Sequence, residues 1–297
     1  MAKKVLILGA GGKSGLLALK KMMGRPADFN VFGAARTEAS AKKVAEQTGA
    51  SMIVCDLTKP DAASKAMEGV DILVVLSSAT PKPNWCKLMG ILCKKLCCMC
   101  CKGGHAPMGA AFEYPPGGLP KDVDWEGGKA AIDAAKTAGV KHVIYVGSMG
   151  GTRPDHFLNK MGGGDILLWK RKAELYLCQS GLPYTIVHPG GLLPHWGNKP
   201  VPGSGERELL VGVNDVMMDN PAETRCIPRE DLAEVVVQIA LEPQAYGGIT
   251  FDLTSKDPKK IEGTTPWDKN LATLLTSAGI TGKSYDFSVP KHPILLN

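Results

Sequence analysis

Two stretches, DILVVL at 71–76 and HVIYVG at 142–147, are apolar at nearly every position. A strand that is apolar on both faces belongs in a parallel sheet covered by helices on both sides, because crossover helices bury it twice. Further short runs of this kind predict strands at Val5–Ala10, Asn30–Arg36, Ser51–Asp56, Val70–Ser78, His142–Ser148, Tyr184–Pro189 and Thr250–Thr254. Between them, helical periodicity predicts helices over Lys13–Gly24, Glu38–Gln47, Asp61–Met67, Val123–Ala138, Leu167–Ser180 and Arg229–Leu241. Gly139 and Gly181 stand where helix C-caps belong. Strand and helix in alternation give right-handed crossovers and a doubly wound, Rossmann-type α/β sheet. The Gly- and Pro-containing stretch Pro194–Pro221 is expected to be an irregular excursion.

The first strand runs into GAGGKSGLL, Gly9–Leu17. Its Gly-Lys-Ser is the tail of a P-loop, but that motif needs glycine five positions before Gly12, where Ile7 stands. The spacing present is Gly9, Gly12, Gly15, a variant of the dinucleotide fingerprint. One glycine allows the tight turn, one lets backbone approach the pyrophosphate, and one lets helix and strand close up. Ser14 and its neighbours then offer N–H groups at a helix N-terminus. At the end of the second strand, where an acidic side chain would hold the ribose hydroxyls of NAD, the chain reads GAART and ends in Arg36. A missing acid and a present guanidinium favour the 2′-phosphate of NADP over NAD, with Lys13 adding positive charge. Topology places Asp56 and Leu57 near the adenine, and Ser77 and Ser78 beside the middle of the cofactor, since ligands bind at the carboxyl ends of such strands. Asp56 alternatively serves as a turn cap.

The segments GAGGKSG, AART, CDLT, VDWEGGKAAIDAAKTAGVKHVIYVGSMGGTRPDH, LLWKRKAELYLCQSGLPYTIVHPGGLL and RELLVG with IPREDLAEVVVQIAL resemble the atypical short-chain dehydrogenase/reductases. The resemblance is greatest to the plant NAD(P)-binding Rossmann-fold proteins of that group, with NmrA-like regulators and biliverdin-IXβ/flavin reductases as broader relatives. It runs from residue 4 to about 255, and fails over about 82–110 and after about 260. It implies that Lys170 holds the nicotinamide ribose, that Ser148 is the serine contacting substrate, and that Pro189 lies in the loop flanking the nicotinamide. The family's proton-relay tyrosine falls on Ile166, and His188 replaces an arginine. Without a phenol there, alcohol–ketone chemistry lacks its relay. The expected activity is hydride transfer to a flavin, quinone or other conjugated acceptor that takes its proton from water. The alternatives are a non-catalytic NADP(H) sensor reporting to a protein partner, as NmrA-like proteins do, and an isomerase or epimerase that keeps its cofactor. His156 is the spare titratable side chain near this strip, or a loop histidine with a structural hydrogen bond. Trp169 is expected to pack rather than stack, and Tyr145 to point into the sheet.

The segment NWCKLMGILCKKLCCMCCKGGH holds six of the chain's nine cysteines, Cys86, Cys93, Cys97, Cys98, Cys100 and Cys101, with four lysines and no acid between Asp71 and Glu113. Three readings stay open: a helical insertion with structural thiols, thiol or metal chemistry with His105 nearby, or S-acylation at a membrane. The expected organisation is one nucleotide-binding domain over 1–260 carrying this insertion, with 261–297 as an extension that packs on the domain or trails it. The net charge of +6 is mild and gives no reason to expect a nucleic-acid partner. No metal site is expected. No apolar run is long enough to span a membrane, and a strand so near Met1 points to a cytoplasmic protein without a leader.

Overall fold

The computed structural model describes residues 1–59, 61–97, 108–193, 203–205 and 207–296. In chain order the strands are β1 (Lys3–Leu8), β2 (Phe29–Ala35), β3 (Met52–Val54), β4 (Ile72–Val75), β5 (Lys82–Pro83), β6 (Phe112–Glu113), β7 (His142–Val146), β8 (Tyr184–Pro189), β9 (Gly191–Leu192), β10 (Glu208–Gly212), β11 (Cys226–Ile227) and β12 (Ile249–Lys256). The helices are α1 (Lys13–Met23), α2 (Glu38–Thr48), α3 (Ala62–Ala66), α4 (Trp85–Cys97), α5 (Gly127–Ala138), α6 (Phe157–Lys160), α7 (Ile166–Gln179), α8 (Arg229–Leu241), α9 (Leu271–Ser277) and α10 (Pro293–Leu296).

Seven strands form a parallel sheet in the order β3-β2-β1-β4-β7-β8-β12. The order reverses between β1 and β4, and the crevice at such a reversal is where ligands bind. Alternate residues of β1 serve opposite faces. Val5 and Ile7 join one buried cluster with α1, α8 and α9, while Leu6 and Leu8 join the other with α3, α5 and α7. The doubly wound expectation holds. The strands expected over Val5–Ala10, Asn30–Arg36, Ser51–Asp56, Val70–Ser78 and His142–Ser148 end earlier than expected, Tyr184–Pro189 matches β8, and Thr250–Thr254 falls inside the longer β12. Ser77, Ser78 and Ser148 lie in the loops beyond β4 and β7, where they line the crevice.

Three departures from the sequence expectation have local causes. The helix expected over Val123–Ala138 begins as a π-turn, Lys121–Glu126, before α5. The stretch Pro194–Pro221 contains β10, which pairs antiparallel with β12. The ladder, not local patterning, makes β10 a strand, and residues 194–202 and 206 lie outside the described residues. Gly139 caps α5 in the left-handed region, φ 70°, but the residue capping α7 is Ser180, with Gly181 at φ 81° just beyond it.

The base of the cysteine-containing insertion is closed by β5 against β6. Glu113 accepts from Lys87 Nζ at 2.6 Å and from Asn84 Nδ2 at 3.1 Å. Helix α4 leaves Trp85, Met89, Cys86 and Cys93 exposed. The side chain of Cys97, and all of Cys98, Cys100, Cys101 and His105, lie outside the described residues. Among the described residues no group of three or more His, Cys, Asp and Glu could hold a metal ion. No described helix is long and apolar enough to cross a membrane. Beyond residue 260, Leu271, Leu275, Ile280 and Tyr285 are buried against the domain.

Candidate active site

A cleft of about 730 Å³ opens along the carboxyl ends of β1, β2, β3 and β4. Gly9, Gly12, Lys13, Ser14, Gly15, Arg36, Asp56, Leu57, Ser77 and Ser78 all line it. The turn is built by close approach. Gly9 has φ 83°, and a Cβ there would lie 2.6 Å from the Ser77 backbone nitrogen. A Cβ on Gly15 would come within 2.2 Å of the Gly9 carbonyl oxygen. Gly12 caps α1, with no side-chain cap hydrogen bond and no acid in the first turn. Free amide donors, a positive helix end and Lys13 therefore meet in one place, and suit a pyrophosphate.

Arg36 follows β2 and faces the cleft near Ser40. Thr37 caps α2 by accepting from the Ser40 amide at 3.2 Å. Asp56 accepts from both the amide and the hydroxyl of Thr58, at 3.1 and 2.8 Å, so it organises the turn whose wall it also forms. Arg229, which sequence reasoning did not single out, lines the cleft as well and donates to the Leu193 carbonyl.

The cleft continues into a cavity of about 290 Å³ that shares Ser14, Leu76, Ser77, Ser78 and Leu192 with it. Ser148, Lys170 and Pro189 line this cavity, together with Ile166, Leu158, Met161 and Tyr114. Its walls are mostly apolar. Lys170 is no solvated helix charge: its side chain is 8% exposed, and Nζ lies 2.7 Å from Oδ1 of Asp124, which is fully buried. The other Asp124 oxygen accepts from the Ala79 amide at 3.1 Å. Burial pushes the Asp124 carboxyl up, and Lys170 opposes that shift. Asp124 thus ties Lys170 to the strand-four loop. Sequence reasoning missed it because the π-turn sets the direction of its side chain.

The two histidines take structural places. His156 caps α6, its Nδ1 accepting from the Leu158 amide at 3.4 Å; burial lowers its pKa, and it does not line the cavity. His188 is 1% exposed and sits behind the cavity wall. Its Nε2 is 3.1 Å from Glu174 and its Nδ1 is 3.3 Å from Asp252. Burial alone would lower its pKa, but Glu174 and Asp252 outweigh burial and raise it to about 10. Asp252 also accepts from the Asp215 amide, and Asp215 in turn holds the Gly150 and Thr152 amides. This buried chain of charges braces the loop after Ser148. Tyr145 is buried in the sheet's core. Trp169 lies under Lys172 and does not line the cavity.

The NAD(P)H-binding family model matches residues 9–243, which span the turn, the cleft and α8. The chain belongs to that family. Within this NAD(P)-binding, atypical short-chain dehydrogenase/reductase group it is 44% identical over 264 residues to a sanguinarine reductase of Eschscholzia californica, covering 85% of this chain and 89% of that protein. It is 40% identical to an uncharacterized chloroplastic protein of Arabidopsis thaliana, covering 92% of this chain and 74% of the relative. A solved oxidoreductase, YlbE of Lactococcus lactis, shares the fold with a TM-score of 0.59 at 19% identity, over 92% of this chain and 97% of that one.

Proposed function

We propose that this member of the family is an NADPH-dependent reductase of a flat, conjugated acceptor such as a quinone or flavin. The observation that carries the reading is a mostly apolar cavity beside the buried Lys170–Asp124 pair, with Ile166 where a relay phenol would stand. The sanguinarine reductase relative supports the same direction, and sanguinarine belongs among the acceptors to be tried.

Bound NADPH supplies a hydride. The turn at Gly9–Gly15 would hold its pyrophosphate, and Arg36 with Lys13 its 2′-phosphate, which is the basis for preferring NADPH to NADH. Lys170, steadied by Asp124, would hold the nicotinamide ribose and so fix which ring face meets the cavity. The apolar walls exclude water from the transfer. A quinone or flavin takes the hydride and then one proton from water, and a cationic acceptor takes the hydride alone, so no side chain needs to give up a proton.

The test is oxidation of NADPH by purified protein with flavins, quinones and sanguinarine, NADH serving as control. Turnover that prefers NADPH and is lost in Lys170→Met, with the fold checked by melting, supports the reading. Cofactor binding with no turnover on any acceptor would move the assignment to a regulatory NADP(H)-binding protein.

A further inference from the structure

The relay position holds Ile166, yet a tyrosine from another part of the chain contributes to the wall of the same cavity. Tyr114 follows β6, just past the insertion, and lines the cavity with Ser148, Ile166 and Lys170. Its seat depends on Gly164: a Cβ there would come within 2.4 Å of the ring. Its hydroxyl oxygen is buried and has no hydrogen-bond partner among the described residues. The neighbouring polar groups are engaged. Ser148 donates to the Met149 carbonyl at 3.1 Å, and Lys170 is paired with Asp124. A buried hydroxyl without a partner is unusual, and at the wall of a ligand cavity the ligand is its natural partner. Burial first, and then the carboxylates of Asp124 and Asp165, push this phenol up to about 12, which keeps it a donor across neutral pH.

We propose that Tyr114 donates a hydrogen bond to a carbonyl oxygen of the acceptor and thereby selects quinone-type acceptors and sets their orientation over the cofactor. This rests on the reductase reading above. The phenol keeps its proton throughout; the oxygen it binds is later protonated by water.

The experiment compares the parent protein with Tyr114→Phe on two flat hydride acceptors. 1,4-Naphthoquinone offers carbonyl oxygens, and N-methylacridinium offers no lone pair. The variant should lose about tenfold in kcat/KM for the quinone, a loss equivalent to ~1.4 kcal/mol, and stay within twofold for the acridinium. Binding of 1,4-naphthoquinone to the NADP⁺-loaded protein, followed by tryptophan quenching, should weaken by the same factor. That measurement needs no turnover, so it stands even if the reductase reading fails. The melting temperature should hold within about 1 °C, because the hydroxyl has no hydrogen-bond partner among the described residues to lose. Equal losses on both acceptors, unchanged quinone binding, absence of quinone binding to the parent, or a drop of several degrees in melting would each overturn the proposal.

Discussion

At the Gly9–Gly15 end of the cleft, backbone does the work; at the Lys170 end, side chains from separated segments do it. The turn needs only that certain Cβ atoms be absent, and one short stretch satisfies that. The cavity needs Asp124 from a π-turn, Lys170 from α7, Tyr114 from beyond the insertion and Ser148 after β7 to converge. The first kind of site tolerates almost no change at its glycines and little depends on what lies around it. The second depends on pairs, so its members fail singly and can be exchanged together.

The largest expected effect sharpens this contrast. Gly15→Val should reduce NADPH affinity more than a hundredfold in a fluorescence titration, because the added carbon meets the Gly9 carbonyl, which is backbone and cannot swing away. Next, Asp124→Ala should cost about 3–5 kcal/mol in urea unfolding, since it strands the buried Lys170 ammonium. The double variant Asp124→Leu, Lys170→Met should recover most of that stability without regaining turnover. If Asp124→Ala unfolds like the parent, the pair is not a unit and the contrast breaks.

Arg36→Glu should weaken NADPH about ten- to hundredfold, as expected for losing a charge-assisted hydrogen bond of about 1.5–3 kcal/mol, while NADH binding holds or tightens. Unchanged discrimination would remove Arg36 as the phosphate reader. The smallest effect concerns His188. Its pKa of about 10 in the folded chain exceeds the 6.5 of a free imidazole. Its contribution is therefore complete below pH 6.5 and is lost as pH rises toward 10. Stability of the parent should decline between pH 6.5 and 8.5 by about 1 kcal/mol or less per pH unit, and His188→Gln should flatten that decline. Parallel pH curves would show that His188 is neutral in the folded chain.

What the sequence disclosed follows the same division. The sheet, its parallel strands and the glycine turn depend on patterns a few residues long, so they could be read directly. Arg36 and Lys170 sit at fixed distances from recognisable segments. Asp124 escaped because an ordinary helix through Val123–Ala138 would aim its side chain elsewhere. Tyr114 escaped because it stands just past the break at about 82–110 in the family resemblance, outside every segment that carries it, and nothing local connects it to Ile166. The place of His188 could not be read from the sequence, because its carboxylate partners come from α7 and β12 and only the folded chain brings them together.

The π-turn has a consequence for insertions and deletions. Its last bond runs from the Gly127 amide to the Asp122 carbonyl, one residue wider than an α-turn. Removing a single residue from 121–126 would let the segment close as ordinary helix, and each residue of α-helix turns the chain by roughly 100°. A loss of one codon there would swing position 124 out of reach of Lys170 while leaving every glycine of the turn, and the whole sheet, in register. The length of this short segment is thus as much a part of the lysine's setting as the carboxylate it carries.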